Sequence, residues 1–417
     1  MKVLIIGSGG REHALAWKVC ENPNVTKVFC APGNGGTALE NKCENINITE
    51  IKDLVQFAKT ENIHLTIVGP EEPLTKGIVD EFKKENLKIF GPDKNSARLE
   101  GSKVFSKNFM KKYGVKTPSY ESFKDSYKAL LYIESCEYPI VIKADGLAAG
   151  KGVVVCNSKK EAKETIESFM VSDIFNGAGN EIVIEEFIEG VEASILSITD
   201  GQTIIPFISA KDHKQIYDGG HGPNTGGMGV IAPNPYVDEE VMKGFYKEIL
   251  SPTMKGIQGE VMDYKGIIFF GIMISKKGVY LLEYNVRMGD PETQALMCIL
   301  ETDIIDMINH VLNEDLEGYE IKWKPLHSCT VVAASGGYPG KFEKGFNINL
   351  NPNEGKVFIS GAKLSEDNLI TSGGRVLSIT ATGINMEEAR KAAYEELNSI
   401  TFNNIYFRKD IGIMAES

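Results

Sequence analysis

The stretch Leu281-Leu-Glu-Tyr-Asn-Val-Arg-Met-Gly-Asp-Pro-Glu-Thr-Gln294 sets Glu283, Asn285 and Arg287 at alternate positions of a strand end. A period of two points all three to one face. A carboxylate and an amide oxygen together suit Mg²⁺, which takes oxygen ligands and keeps waters and substrate phosphates as the rest of its shell. An arginine beside them would neutralise charge on a transferring phosphoryl group. A solvated face with a salt bridge is the plainer reading of a lone Glu-x-Asn. Arg287 and the turn at Gly289-Asp290-Pro291 favour the functional one.

Two lysines could meet phosphates. Lys143 closes an apolar run and opens the glycine loop Lys143-Ala-Asp-Gly-Leu-Ala-Ala-Gly-Lys-Gly152. This is not a P-loop, which needs four residues between its glycines and a hydroxyl after the lysine. Only three residues separate Gly146 from Gly150, and Gly152 follows Lys151. Val153-Val-Val155 continues as a strand, so the loop joins two strands and could close over an anion through its backbone N–H groups. Lys103 opens a helix, where the dipole disfavours a cation, a misfit that suggests an anion nearby. A strand ending in Glu185-Glu186, with Glu192 after it, reads as an exposed edge or as a segment offering backbone groups to a base.

The elements that must position these residues fall into three regions. Residues 1–100 alternate strand and helix, each strand ending in a glycine or proline turn (7–10, 31–36, 69–73 and 91–92), which predicts a doubly wound parallel sheet. Ligands sit beyond the carboxyl ends of such strands, so the four turns are expected to line one pocket. Residues 101–322 read as α+β with antiparallel pairs, and include a long glycine-rich loop at 211–229, a length usually kept for lids or binding loops. Residues 323–417 read as a small α+β domain with an amphipathic helix at 385–400.

The 417 residues carry a net charge of −12, which argues against general affinity for nucleic acid or anionic membrane. No apolar run is long enough to span a bilayer, and the chain opens directly on a strand, with no signal peptide expected. Seven scattered cysteines without a C-x-x-C pair fit a reducing, cytoplasmic compartment, each as a small buried hydrophobe.

In this order the elements resemble the ATP-grasp architecture, in which ATP is clamped between two α+β subdomains. Four longer motifs narrow the resemblance: Gly7-Ser-Gly-Gly-Arg-Glu-His-Ala14, the 143–152 loop, His221-Gly-Pro-Asn-Thr-Gly-Gly-Met-Gly229 and Arg287-Met-Gly-Asp-Pro-Glu-Thr-Gln294. With Ala333-Ala-Ser-Gly-Gly-Tyr-Pro-Gly340, the whole chain is similar to the phosphoribosylamine–glycine ligase family. The resemblance implies ATP-dependent joining of glycine to 5-phosphoribosylamine through a glycyl phosphate, with Mg²⁺ or Mn²⁺. It also implies a stand-alone bacterial-type enzyme and a glycine-hairpin subdomain at about 120–190; a monomer is the default expectation. By the same resemblance Lys103, Lys143, Gly150 and Gly152 should meet the ATP phosphates, Glu185 and Glu186 the adenine, and Glu192 the ribose. Glu283 and Asn285 should hold the metal, and Arg287 the transferred phosphoryl group. Asp290 and Asp212 should orient glycine, and Gly9 and Gly10 should receive the sugar phosphate. His13 and His221 read as orienting hydrogen-bonders.

Three rival readings remain. A nicotinamide dehydrogenase would need Gly or Ala where Glu12 stands, and an acidic residue after the second strand. Another ATP-grasp ligase or carboxylase is separated only by the resemblance of the longer motifs. A non-catalytic nucleotide-binding regulator should have lost the Glu283–Asn285–Arg287 face.

Overall fold

The computed structural model describes residues 1–147, 152–175, 177–351, 355–366 and 368–413. Gly150 therefore lies outside the described residues. In the N-terminal region five parallel strands pair in the order Cys43–Asn45, Lys27–Pro32, Lys2–Gly7, Leu65–Val68, Ile89–Phe90. The edge strand Cys43–Asn45 lies in a stretch where the sequence shows no motif. Alternation along the central strand splits its side chains between two cores. Leu4 and Ile6 pack with Leu54, Ala58 and Phe82 of the crossover helices. Val3 and Ile5 pack with Leu15 and Val19, and with Leu296, Ile304 and Ile308 from much later in the chain. The second face of this sheet is thus sealed by the middle region.

The middle region holds two antiparallel sheets. One runs Ile204–Pro206, Val191–Thr199, Gly266–Ser275, Gly278–Asn285; the other runs Tyr120–Phe123, Ile182–Glu186, Ile140–Ala144, Val153–Cys156. The helix Lys103–Tyr113 packs between them, touching both Ile182–Glu186 and Gly278–Asn285. Its N-terminus is capped by the Ser102 hydroxyl, which accepts from Phe105 N–H. Asp145 also contributes, accepting from Val104 N–H at 2.7 Å and from the Ser102 hydroxyl at 2.9 Å. Asp145, in the glycine loop, thus complements the positive end of the helix dipole.

The segment at 211–229 is more ordered than the sequence suggests. It contains a β-hairpin, Gln215–Tyr217 with His221–Asn224. Its outer ends, Lys211–Asp212 and Gly229–Ala232, form a ladder that joins the C-terminal sheet through His327–Ser335. That sheet continues through Arg375–Gly383 and Lys356–Ile359, and the helix Met386–Leu397 packs on it. The middle and C-terminal regions thus share a sheet across the boundary read at 322.

The four N-terminal turns do not line one pocket. The 31–36 turn is covered by the C-terminal region, with Asn34 Nδ2 donating to Ile359 O at 2.7 Å and Gly35 N–H to Ala362 O at 2.9 Å. Gly91 N–H donates to Lys265 O. All seven cysteines are free thiols, but Cys20, Cys43 and Cys136 are only partly buried, which corrects their reading as uniformly buried. Among the described residues no helix is long and apolar enough to cross a membrane.

Candidate active site

A cleft of about 340 Å³ opens between the two middle sheets, bounded by the helix Lys103–Tyr113 and the hairpin. Lys103, Lys143, Gly152, Glu185, Glu186, Glu192, Asp212, Glu283, Asn285, Arg287 and Asp290 all line it. These expected site residues, separated by up to 187 positions in the chain, are brought to one cavity.

The metal-type pair reaches the cleft because of a bulge. Leu281 and Tyr284 are both buried in the core. Strict alternation from Leu281 would bury Glu283 as well. Instead Gly271 faces Glu283 while Ile272 faces Leu281, so Leu282 is an extra residue. Such an insertion re-aims the side chains that follow it, and Glu283 and Asn285 come to the cleft side. Burial alone would raise the Glu283 carboxyl, but Lys214, Lys103, Lys143 and Arg287 outweigh it and hold it below the usual carboxylate range.

Arg287 lies beyond the strand and is bound by carboxylates. Its NH2 is 2.9 Å from Glu100 Oε1, its Nε is 3.2 Å from Glu71 Oε2, and its NH2 donates to Asn285 Oδ1 at 3.2 Å. Glu71 comes from the third N-terminal turn, the one turn that reaches the cleft. Sequence reasoning missed both partners, since neither shares a local pattern with Arg287.

Glu185 is deeply buried between two cations: Lys143 Nζ at 3.0 Å and Lys107 Nζ at 3.2 Å. Its carboxylate is engaged with the lysines rather than facing a base edge. Glu186 turns the other way and accepts from the Ser119 hydroxyl at 2.8 Å. Lys107 was missed, although it lies four residues after Lys103 and hence on the same helix face. Burial lowers its pKa to about 8, against the pull of Glu185. Its ammonium also donates to the Thr117 hydroxyl at 2.5 Å. Gly152 accepts from Ala144 N–H at 2.8 Å, closing the base of the glycine hairpin.

The segment leading into the hairpin supplies Asp212 and Lys214. Lys214 Nζ is 2.5 Å from Glu192 Oε2, and Glu192, Glu283 and Asp212 together raise its pKa against burial. Asp212 is pushed well up by burial and by Glu292 nearby. Its buried Oδ1 has no hydrogen-bond partner among the described residues. Glu292, also missed, is buried at the cleft wall and accepts from the Ser194 hydroxyl at 3.0 Å.

At the far end Asp290 accepts from Gln294 Nε2 at 2.9 Å and from Arg11 N–H at 3.3 Å, and pairs with Arg375 at 3.3 Å. Arg375 and Arg11 hold it below its ordinary value despite burial. The loop at 7–10 meets Asp290 here. Gly9 N–H donates to Glu12 Oε2 at 2.6 Å, so Glu12 fills the turn beneath the loop. An added Cβ on Gly10 would come within 2.5 Å of Gln294 and Ser360. His13 accepts from Ile359 N–H at Nδ1 and meets Glu40 through Nε2, an orienting contact with the C-terminal region. His221 is exposed on the hairpin.

A parallel-sheet domain feeding two antiparallel sheets, with a glycine hairpin and converging lysines and carboxylates between them, defines an ATP-grasp enzyme. The biotin carboxylase from Campylobacter jejuni shares the fold, with a TM-score of 0.74 at 15% identity over 97% of this chain and 92% of that one. Models of the N, ATP-grasp (A) and C domains of phosphoribosylglycinamide synthetase match residues 1–100, 101–293 and 328–414. The phosphoribosylamine–glycine ligase of Clostridium acetobutylicum is 60% identical over 413 residues, 99% of each chain. The crystal structure of the Thermotoga maritima enzyme of that name superposes with a TM-score of 0.87 at 34% identity, covering 99% of this chain and all of that one. The chain belongs to the phosphoribosylamine–glycine ligase family.

Proposed function

We propose that the protein joins glycine to 5-phosphoribosylamine with ATP, giving glycinamide ribonucleotide, ADP and phosphate, a step of purine synthesis. The observation that supports this best is the single cleft that unites Lys103, Lys143 and Lys214 with Glu283, Asn285 and Asp212, whose buried Oδ1 has no hydrogen-bond partner among the described residues. A carboxylate is a poor electrophile, so ATP first phosphorylates glycine, and the amine of the second substrate then displaces phosphate from the glycyl phosphate. The protein's part is positioning, charge neutralisation and exclusion of water.

In this reading Lys103 and Lys143 meet the ATP phosphates, and the glycine hairpin with Gly150 and Gly152 closes over them. Glu185 keeps Lys143 in place, backbone after Glu186 meets the adenine, and Glu192 the ribose. Arg287 is poised for the transferred phosphoryl group by exchanging its carboxylate partners. Asp212 takes the glycine ammonium, with Asp290 beside it. The sugar phosphate approaches from the Gly9–Gly10 end. A divalent cation fits Glu283 and Asn285: both offer oxygen, and among the described residues no group of three or more His, Cys, Asp or Glu is placed to hold a metal alone. That leaves coordination to phosphates and water, the habit of Mg²⁺, with Mn²⁺ a close substitute. When bound, the ion would neutralise charge on the phosphates. The protein acts as a cytoplasmic monomer of three domains, 1–100, 101–322 and 323–417, with a closing subdomain at about 120–190.

The test is ADP release with each substrate omitted in turn. Release only with ATP, glycine and phosphoribosylamine together supports the reading. Turnover with another acid keeps the ATP-grasp chemistry and removes the glycine assignment.

A further inference from the structure

Apart from Ile216, buried against Met228 and Ala334, the hairpin beside the cleft is largely exposed. The strand His221–Asn224 is exposed throughout, and the turn has Gly219 and Gly220 at φ +72° and +71°. A two-stranded unit of this kind is marginal by itself. Residues 406–410 of the C-terminal region hold it at four points. The Tyr406 hydroxyl donates to Ile216 O at 2.8 Å, and Arg408 NH1 to Gln215 O at 2.9 Å. Lys409 N–H donates to Asp218 Oδ1, and Asp410 Oδ2 accepts from Gly219 N–H, both at 2.8 Å.

This support is itself fixed. Arg408 is almost fully buried and meets both oxygens of Asp410, at 2.8 and 2.6 Å. The Tyr394 hydroxyl, on the helix Met386–Leu397, donates to Arg408 O at 2.7 Å. Three of the four contacts end on hairpin backbone, so they fix where the hairpin lies rather than which side chains it carries. Lys214 adjoins the hairpin on one side and Asn224 and Thr225 on the other, while Asp212, paired with Val230 in the sheet, lies two residues before Lys214, all in the cleft wall. None of residues 406–410 lines the cleft, so their effect is indirect.

We propose that the Arg408–Asp410 clasp and the Tyr406 hydroxyl are positioning residues for the reaction: they seat the hairpin so that Asp212 and Lys214 stand in the cleft. The proposal rests on the functional reading above, in which Asp212 receives the amino acid. It assigns the C-terminal region a part in placing the acceptor carboxylate, 194 residues earlier in the chain than Tyr406.

The experiment compares Tyr406→Phe and Asp410→Asn with Thr380→Val. The last removes a buried contact in the same sheet, Thr330 Oγ1 to Thr380 Oγ1 at 2.8 Å, that does not touch the hairpin. Hydrogen exchange over residues 215–224, thermal melting, and kcat and KM for each substrate are measured. Losing one such bond changes an equilibrium by about fivefold. The hairpin amides should therefore exchange about fivefold faster in Tyr406→Phe and Asp410→Asn, with KM for the amino acid raised about as much and KM for 5-phosphoribosylamine unchanged. Thr380→Val should lower the melting temperature without that split. Faster hairpin exchange with unchanged kinetics overturns the proposal, as does a rise in every KM that follows melting temperature in all three variants. Wild-type turnover with a different acid overturns the functional reading alone, and the KM comparison then runs on that acid.

Discussion

Lys143 and Glu185 lie on adjacent antiparallel strands, and Lys143 Nζ is 3.0 Å from Glu185 Oε2. The register pairs Val141 with Glu185 and Lys143 with Val183, so the ion pair is diagonal across the sheet, within reach of long side chains. The same carboxylate holds Lys107 from the helix side. One buried anion thus sets two cations at the cleft wall.

Replacing Glu185 with Gln leaves two buried ammonium groups without their anion. Breaking a buried pair by removing one partner costs about 3–5 kcal/mol, so a clear drop in melting temperature is expected. Lys143 loses its anchor as well, and nucleotide affinity should fall about tenfold or more, a change of about 1.4 kcal/mol. Calorimetric titration with ATP at a temperature where the variant is folded checks this; unchanged affinity would mean Lys143 is placed by other contacts.

Lys107 carries a pKa of about 8, below the value for a free lysine. Between that pH and about 10.4 the unfolded chain binds more protons than the folded one, so stability from this group rises with pH. Below pH 8 its penalty is fully present. Relative to Lys107→Met, the wild type should gain stability on going from pH 8 to 10, by up to about 1.4 kcal/mol per pH unit. Denaturant unfolding of both proteins across that range measures the difference; a flat or falling difference would contradict the assignment.

Glu283 is one carboxylate among lysines. Its conversion to Gln should remove metal-dependent turnover by about 10²–10³-fold, the scale of one lost electrostatic stabiliser. Binding of ATP without a divalent cation should stay within a few-fold or tighten, because the cationic wall is then less neutralised. EDTA should stop turnover in the wild type. Equal losses of metal-free binding and turnover would show Glu283 acting on the fold instead.

Asp212 is raised by burial and by Glu292. As pH falls through its raised value the carboxyl protonates and no longer attracts an ammonium group, so KM for glycine should climb toward low pH. Asp212→Asn should raise that KM about tenfold, in line with one hydrogen bond to a charged group, and flatten its pH profile. KM for ATP serves as the internal comparison. A profile unchanged by the substitution would place the titrating group elsewhere.

The chemistry-bearing residues were legible because local rules reach them. Period two pairs Glu283 with Asn285, and glycine spacing separates the 143–152 loop from a P-loop. Alternating strands and helices give the parallel sheet. The longer motifs carried the family resemblance; the cleft gathers Lys143, Gly152, Arg287 and Asp290 from them, but no residue of Gly7–Ala14.

Tertiary structure decided the rest. Whether Glu283 faces core or cleft depends on an extra residue at Leu282, visible only against the opposing strand at Gly271. Lys107 reads as one more helix lysine until Glu185 from a distant strand buries it. Asp145 from the glycine loop proved to cap the helix that Lys103 opens, and the partners of Arg287 proved to be Glu71 and Glu100, from another region of the chain. Sequence periodicity reports which way a side chain points along its own element. Register, burial and ion pairing are set by contacts between elements far apart in the chain, and no local pattern encodes those.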